Sequence, residues 1–229
     1  MLIKGLQKTT LLDFPGKVAC TVFTGGCNFR CPFCHNASLV TSPDTVDSIS
    51  EEMFFAFLAK RRGILDGVCI TGGEPTLSSD LAEFCRRIKE MGFAVKLDTN
   101  GTNPKLLRRL IEEELVDYVA MDIKNDKEHY AETCGLPSFP RGVEESMTLL
   151  QSGSLPFEFR TTIVHSLHTP ERMEALAKWI KGAPLYFLQM FTDSGDLLGE
   201  GLSAPSEEEA TAMLNAVKAH IPHAELRGI

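Results

Sequence analysis

GVCITGGEPTLSSDLAEFCRRIKEMGFAVKLD, residues Gly67–Asp98, reads as a strand, a helix and a second strand joined by short turns. Gly67–Thr71 and Ala94–Asp98 are mostly apolar runs bounded by turn residues, the pattern of parallel strands covered on both faces. Between them Leu81, Phe84, Cys85 and Ile88 recur at helical spacing, and Gly92 ends the helix. The alternation continues outward in both directions. Val18–Phe23 precedes it, and Asp117–Ile123, Phe157–Ile163 and Leu185–Phe191 follow. Ser50 caps a helix with Phe54, Phe57 and Leu58 as its stripe. Asn103-Pro104 and Thr169-Pro170 each place a cap before a first-turn proline. Six such units predict a parallel α/β domain, and the pattern fits a doubly wound sheet or an incomplete barrel alike. Residues 1–17 are expected to form a short arm against the first strand. Residues 18–191 form the core, and residues 192–229 a C-terminal helix, opened by the capping box Ser206–Glu209, and a tail. With no low-complexity linker, residues 1–229 read as one domain.

The chain has 229 residues, ordinary globular composition and a formal net charge of −8. The acidic balance argues against a nucleic-acid partner. No apolar run is long enough for a membrane span, and the N-terminus lacks the pattern of a signal peptide. The seven cysteines are an odd number, with three of them bunched. That usage suits a reducing cytoplasm and a metal site rather than disulfides.

Ligands of parallel α/β folds bind at the carboxyl ends of the strands. Here those ends collect Gly25–Asn36, Gly72-Gly73-Glu74-Pro75, Asp98-Thr99-Asn100-Gly101 and Asp122-Ile123-Lys124. Arg160 and Gln189 lie within otherwise apolar strands. Cys27-x3-Cys31-x2-Cys34 places three thiols in one loop, the natural ligands of an iron–sulfur cluster. Three thiolates for four irons would leave one iron open. Zinc is the competing reading, with His35 as fourth ligand, but His35 directly follows Cys34 and is poorly spaced for it. Cys20, Cys69 and Cys85 read as small core residues, and Cys134 as a loop residue without an assigned role. His165 and His168 read as loop histidines.

The cysteine loop, with an aromatic before its last cysteine, together with Gly72-Gly73-Glu74-Pro75 resembles the radical S-adenosylmethionine (SAM) superfamily. Cys34-His35-Asn36, Leu97–Gly101 and Met121–Lys124 are similar to the glycyl-radical-enzyme activating enzymes. Gly5–Lys17 resembles their anaerobic ribonucleoside-triphosphate reductase activating branch. The resemblance implies an incomplete (β/α)6 TIM-like barrel of parallel strands. It implies a [4Fe–4S] cluster on Cys27, Cys31 and Cys34, with SAM chelating the open iron. The backbone near Phe33 would meet the adenine, and Asn36 would hold SAM or the cluster loop. Gly72 and Gly73 would admit SAM closely, and Glu74 would accept from its ammonium. Asp98, Asp122 and Lys124 would position its methionine and ribose, with a monovalent cation as an optional bridge, and Arg160 would pair with its carboxylate. Reductive cleavage of SAM would yield a 5′-deoxyadenosyl radical that takes a hydrogen atom from a glycine Cα of the reductase. A low-potential donor such as flavodoxin or ferredoxin would supply the electron. The alternatives are activation of another glycyl radical enzyme, or a small-molecule substrate such as a 7-deazapurine precursor. A metal-binding module without catalysis stands last.

Overall fold

The structure, a computed structural model, describes residues 1–228. Its single sheet holds Ile3–Thr10 (β1), Ala19–Thr24 (β2), Gly67–Gly72 (β3), Ala94–Thr99 (β4), Tyr118–Asp122 (β5), Phe157–Ile163 (β6), Tyr186–Met190 (β7) and Ala224–Arg227 (β8). The strands lie side by side in chain order, with β1 and β8 as the two edges, so the barrel is open. β2 to β8 run parallel, and β1 runs antiparallel to β2.

The six expected strands are β2 to β7. Both edges differ from expectation. Residues 1–17 are more than an arm, because Ile3–Thr10 is itself a strand of the sheet. The tail after the last helix adds β8, which pairs with β7 from Tyr186↔Ala224 to Gln189↔Arg227. Ala-Glu-Leu-Arg has little strand character of its own, and the exposed edge of β7 recruits it.

The helices are Ala37–Thr41 (α1), Glu51–Ala59 (α2), Leu81–Glu90 (α3), Pro104–Glu112 (α4), Tyr130–Thr133 (α5), Gly142–Ser152 (α6), Pro170–Trp179 (α7) and Glu207–Lys218 (α8). The expected caps form: Ser50, Asn103 and Thr169 each accept from a first-turn amide, and Ser206 and Glu209 complete a capping box. Each cap meets an amide that lacks a helical partner. Among the described residues, no helix is long and apolar enough to cross a membrane.

The strands are not apolar on both faces. Side chains alternate with period two. Cys20, Val22, Val68, Ile70, Val95, Leu97, Val119 and Met121 join the main core with the helices. The alternate positions carry Thr21, Cys69, Lys96, Asp98, Asp122, Glu158 and Arg160. Two of these meet directly in register, Asp122 opposite Arg160, and Cys69 lies opposite Lys96. Phe14, delivered by the hairpin between β1 and β2, closes the barrel floor against Ala19 and Tyr118, its ring 6.3 Å from that of Tyr118. Gly67 is required there, since a Cβ would stand 2.9 Å from the Phe14 ring.

Candidate active site

The cysteine loop leaves β2 and is pinned at its first turn. Gly26 N–H donates to Leu39 C=O (2.8 Å), and Glu74 N–H donates to Gly26 C=O (2.8 Å). This packing requires glycine on the opposing segment. At Gly72, whose φ is +114°, a Cβ would lie 2.3 Å from Thr24 N, and at Gly73 it would lie 1.9 Å from Gly26 O. Gly72 and Gly73 therefore admit the cysteine loop itself, backbone against backbone. Asn36 Nδ2 donates to Gly72 C=O at 3.4 Å and ties the far end of the loop to the same segment.

Cys31 is buried, and Cys27 and Cys34 are half-buried. Cys27 Sγ accepts from Phe29 N–H at 3.4 Å and faces Asn100 Nδ2 at 4.0 Å. Burial pushes the Cys27 thiol up to about 11 and raises that of Cys34. Cys31 goes the other way, because a hydrogen bond from the Cys134 thiol outweighs its burial. Cys134 is fully buried, and its carbonyl accepts from Arg30 N–H at 2.8 Å. The sequence alone leaves Cys134 as a loop residue; the structure packs it against the cysteine loop. Among the described residues, no three His, Cys, Asp or Glu side chains converge on a point that could hold a single metal ion. A donor set spread along one loop suits the separate corners of a cubane better than one zinc ion.

Facing the thiols is a chain of charges, Lys96 buried and Asp98, Asp122, Lys124 and Arg160 half-buried. Lys96 Nζ bonds Asp98 Oδ1. Arg160 NH1 donates to Asp98 Oδ2 at 3.0 Å, and Arg160 Nε donates to Asp122 Oδ1 at 2.9 Å. Lys124 Nζ donates to Asp122 Oδ2 at 2.9 Å. Burial raises both carboxyls, but the cations beside them win: Asp98 lies below its ordinary value and Asp122 is held at about 2. The four oxygens of the two aspartates are thus each met by a protein cation, so a bridging monovalent cation would sit against the positive charges of Lys96, Arg160 and Lys124. With three cations already facing two carboxylates, that optional cofactor does not fit the charge of this wall.

Glu74 is held in place by donors of the protein itself. Its carboxylate is 2% exposed. It accepts from Thr76 N–H (3.0 Å), Thr76 Oγ1 (2.5 Å), Thr99 Oγ1 (2.8 Å) and Asn100 N–H (2.6 Å). Three of these donors meet Oε1 and only Asn100 N–H meets Oε2, so Oε2 keeps a free acceptor site. Glu74 therefore locks the turn after β3 to the end of β4, and its carboxylate also borders the cavity. Asn100, set by this lock, reaches Asn28 Oδ1 at 2.9 Å and so steadies the cysteine loop. Its signal in the sequence is only its place at a strand end.

His165 and His168 part company. His165 is exposed and pairs with Glu209. His168 is buried; its Nδ1 accepts from Val164 N–H (3.0 Å), which makes Nε2 the donor to Lys124 C=O (2.9 Å). His168 thereby positions the backbone of Lys124. The segment after β7 also closes over the cysteine loop. Asp196 Oδ2 accepts from Ser38 N–H and Oγ, and Gly199 N–H donates to Pro32 C=O at 2.8 Å.

Cys27, Cys31, Cys34, Phe33, Asn36, Gly72, Gly73, Glu74, Asp98, Asp122, Lys124 and Arg160 all line one cavity at the carboxyl ends of the strands. The model of the Radical SAM superfamily matches residues 21–182, from β2 through α7. This chain belongs to the radical SAM superfamily. Radical SAM enzymes use a [4Fe–4S] cluster and SAM, and the thiol rim with its facing charged wall suits that pair. This radical SAM enzyme is 33% identical, over all of its length and 96% of the relative's, to a Methanocaldococcus jannaschii protein named for glycyl-radical enzyme activation. It is 30% identical to a Saccharolobus islandicus protein named for GTP 3′,8-cyclase activity, over 60% of this chain and 44% of that one. Its fold is shared with a domain of pyruvate-formate lyase-activating enzyme from Bacteroides vulgatus (TM-score 0.57, 16% identity, 71% of this chain and 99% of that one). It is also shared with Streptococcus suis SuiB bound to S-adenosylmethionine (TM-score 0.67, 11% identity, 89% and 48%).

Proposed function

We propose that this enzyme is an activase that installs a glycyl radical on an anaerobic ribonucleoside-triphosphate reductase, in the cytoplasm, with flavodoxin or ferredoxin as electron donor. The observation that carries the reading is the end-to-end match, at 33% identity, to a relative named for glycyl-radical enzyme activation. The reductase as partner rests on Gly5–Lys17, which forms β1 and the hairpin that closes the barrel floor.

In this reading Cys27, Cys31 and Cys34 would hold a [4Fe–4S] cluster, with SAM bound beside it. The bound pair supplies reductive cleavage of SAM and hydrogen-atom abstraction. Arg160 has three N–H bonds beyond those used on Asp98 and Asp122, enough to grip the SAM carboxylate. Lys124 offsets part of the negative charge of three thiolates and a carboxylate. Phe33 and Asn36 border the adenine. Asp98 and Asp122 act through Arg160 and Lys124, whose head groups they fix. Glu74 sets the turn against which SAM lies.

Glycine suits as the reacting residue, because its Cα radical is delocalised into the flanking amides and no side chain crowds it. The unclosed side of the barrel between β1 and β8 gives a polypeptide loop a way in.

The test is anaerobic reconstitution, reduction, and addition of SAM and the reductase. We expect 5′-deoxyadenosine by chromatography and a glycyl radical by electron paramagnetic resonance, both lost in Cys31→Ala. 5′-Deoxyadenosine with no radical on the reductase would redirect the search to another glycyl radical enzyme or a small molecule. Neither signal from a fully loaded enzyme with a working donor would overturn the activase reading.

A further inference from the structure

Lys96 is a lysine in the middle of a parallel strand, pointing into the barrel and 1% exposed. Burying an ammonium is costly unless a counter-charge meets it. Its counter-charge is Asp98, two residues along the same face of β4. Beyond Asp98 the only other polar atom its ammonium meets among the described residues is Cys69 Sγ, at 3.9 Å. Lys96 therefore touches neither the cysteine loop nor the rim. It acts on the cavity only through Asp98, from beneath.

The charge count explains its presence. Lys96, Arg160 and Lys124 face Asp98 and Asp122, so the wall is positive by one. Without Lys96, Asp98 Oδ1 would be a half-buried carboxylate oxygen bonded only weakly, by the Cys69 thiol at 3.7 Å. Such an oxygen, next to a second carboxylate in a cavity open to solvent, is what attracts a hard cation. With Lys96 in place the oxygen is taken, and an added cation would face three positive charges. A tethered ammonium also needs no capture from solution, so it is present at every salt composition.

We propose that Lys96 is a built-in monovalent cation: its ammonium fills the place that a sodium or potassium ion would take beside Asp98, and makes the SAM site independent of both. This rests on the reading of the cavity as a SAM site, not on the identity of the partner protein. Lys96 is a positioning residue. It neutralises Asp98, and Asp98 in turn holds Arg160 at the angle from which it meets the SAM carboxylate.

The test compares SAM affinity of the reconstituted enzyme in potassium chloride and in choline chloride at equal ionic strength. It is joined to a 205Tl nuclear magnetic resonance titration of the cluster-free protein, thallium(I) serving as the potassium probe. We expect wild type to bind SAM equally in both salts and to show no saturable thallium site. Lys96→Met, which keeps the stem and removes the charge, should bind SAM about tenfold more weakly in choline, the scale of one charge-assisted contact. Potassium should restore it, and thallium should bind with saturation and be displaced by potassium. Lys96→Gln is the second variant should the first not fold. Should neither fold, the two wild-type measurements decide. A wild type that loses SAM affinity in choline or binds thallium with saturation overturns the proposal. So does a folded variant whose weakened SAM binding potassium does not restore. Absence of SAM binding by the loaded wild type in every salt would instead count against the SAM site itself.

Discussion

Asp122 sits between two cations, Arg160 Nε at 2.9 Å and Lys124 Nζ at 2.9 Å. Burial works to raise its carboxyl, but Arg160 and then Lys124 outweigh it and hold it at about 2. In the unfolded chain an aspartate titrates near about 3.9. Its folded value is depressed, so its contribution to stability is complete above about pH 4 and is lost as pH falls toward about 2. The shift corresponds to about 2 kcal/mol. Asp122→Asn should therefore be less stable than wild type at neutral pH, by up to about 2 kcal/mol, the scale of that shift. The gap should shrink as pH falls through that window, as urea unfolding at a series of pH values would show. A gap that stays constant would mean that Asp122 is not ionised in the folded state. Gly73 makes a second claim at this scale. A Cβ there would lie 1.9 Å from Gly26 O, backbone that cannot swing aside. Gly73→Ala should keep its helical circular dichroism yet lose most of its iron on reconstitution, because the start of the cysteine loop is displaced. Full iron loading of the variant would show that the loop tolerates the shift.

β8 matters through one side chain. Arg227 reaches back under the barrel to Glu158, NH1 to Oε1 at 3.1 Å and NH2 to Oε2 at 3.3 Å, while its guanidinium lies 3.2 Å from the centre of the Phe187 ring. Glu158 is 1% exposed, and Tyr118 supplies one further hydrogen bond at 3.0 Å. Removing Arg227 leaves a buried carboxylate with a single donor. Arg227→Met should destabilise by about 3 kcal/mol, read from the urea midpoint, and adding Glu158→Gln should recover part of the loss. An Arg227→Met protein as stable as wild type would mean that β8 holds on by its backbone alone. His168 couples two other elements, joining the turn after β6 to Lys124 at the exit of β5. Burial lowers its value, so the neutral ring is the folded form. Its contribution is full above the ordinary histidine value of about 6.5 and is lost as pH falls below it. His168→Phe keeps the ring volume and leaves two polar backbone atoms unpaired. It should cost about 2 kcal/mol and weaken SAM binding through Lys124, with a flatter stability profile below about pH 6.5.

The sheet as a whole is an open cylinder whose outer face is apolar and covered by the helices, and whose inner face carries charges. Its central strands are flanked on both sides, whereas β1 and β8 each have one neighbour. Amide hydrogen exchange should therefore be slowest in β3 to β6 and fastest in β8, whose four residues pair only with β7. Equal protection of β8 and β4 would mean that the open side is covered in solution, against the entry of a polypeptide between the two edges. The interior charges face a cavity rather than solvent, and five of them form one connected chain from Lys96 to Lys124. Changes at one end should thus be felt at the other, which makes this wall non-additive in double mutants.

The sequence by itself determined the alternation of strands and helices, the caps at Ser50, Asn103, Thr169 and Ser206, and the cysteine loop with its facing glycines. These are local: hydrophobic spacing, a cap and a loop motif each lie within a dozen residues. It also placed the singled-out positions at one end of the sheet, because strand direction alone fixes which end that is. Tertiary structure decided what those residues do to one another. Glu74 takes two of its four donors from the end of a different strand, Asp98 meets Arg160 from a strand 62 residues on, and Cys134 reaches Cys31 across a gap of a hundred residues. β8 exists because β7 has an open edge, a fact no window of sequence contains. Partners brought from distant positions set the charge, protonation and free valence of each group, and those quantities arise only once the barrel has formed.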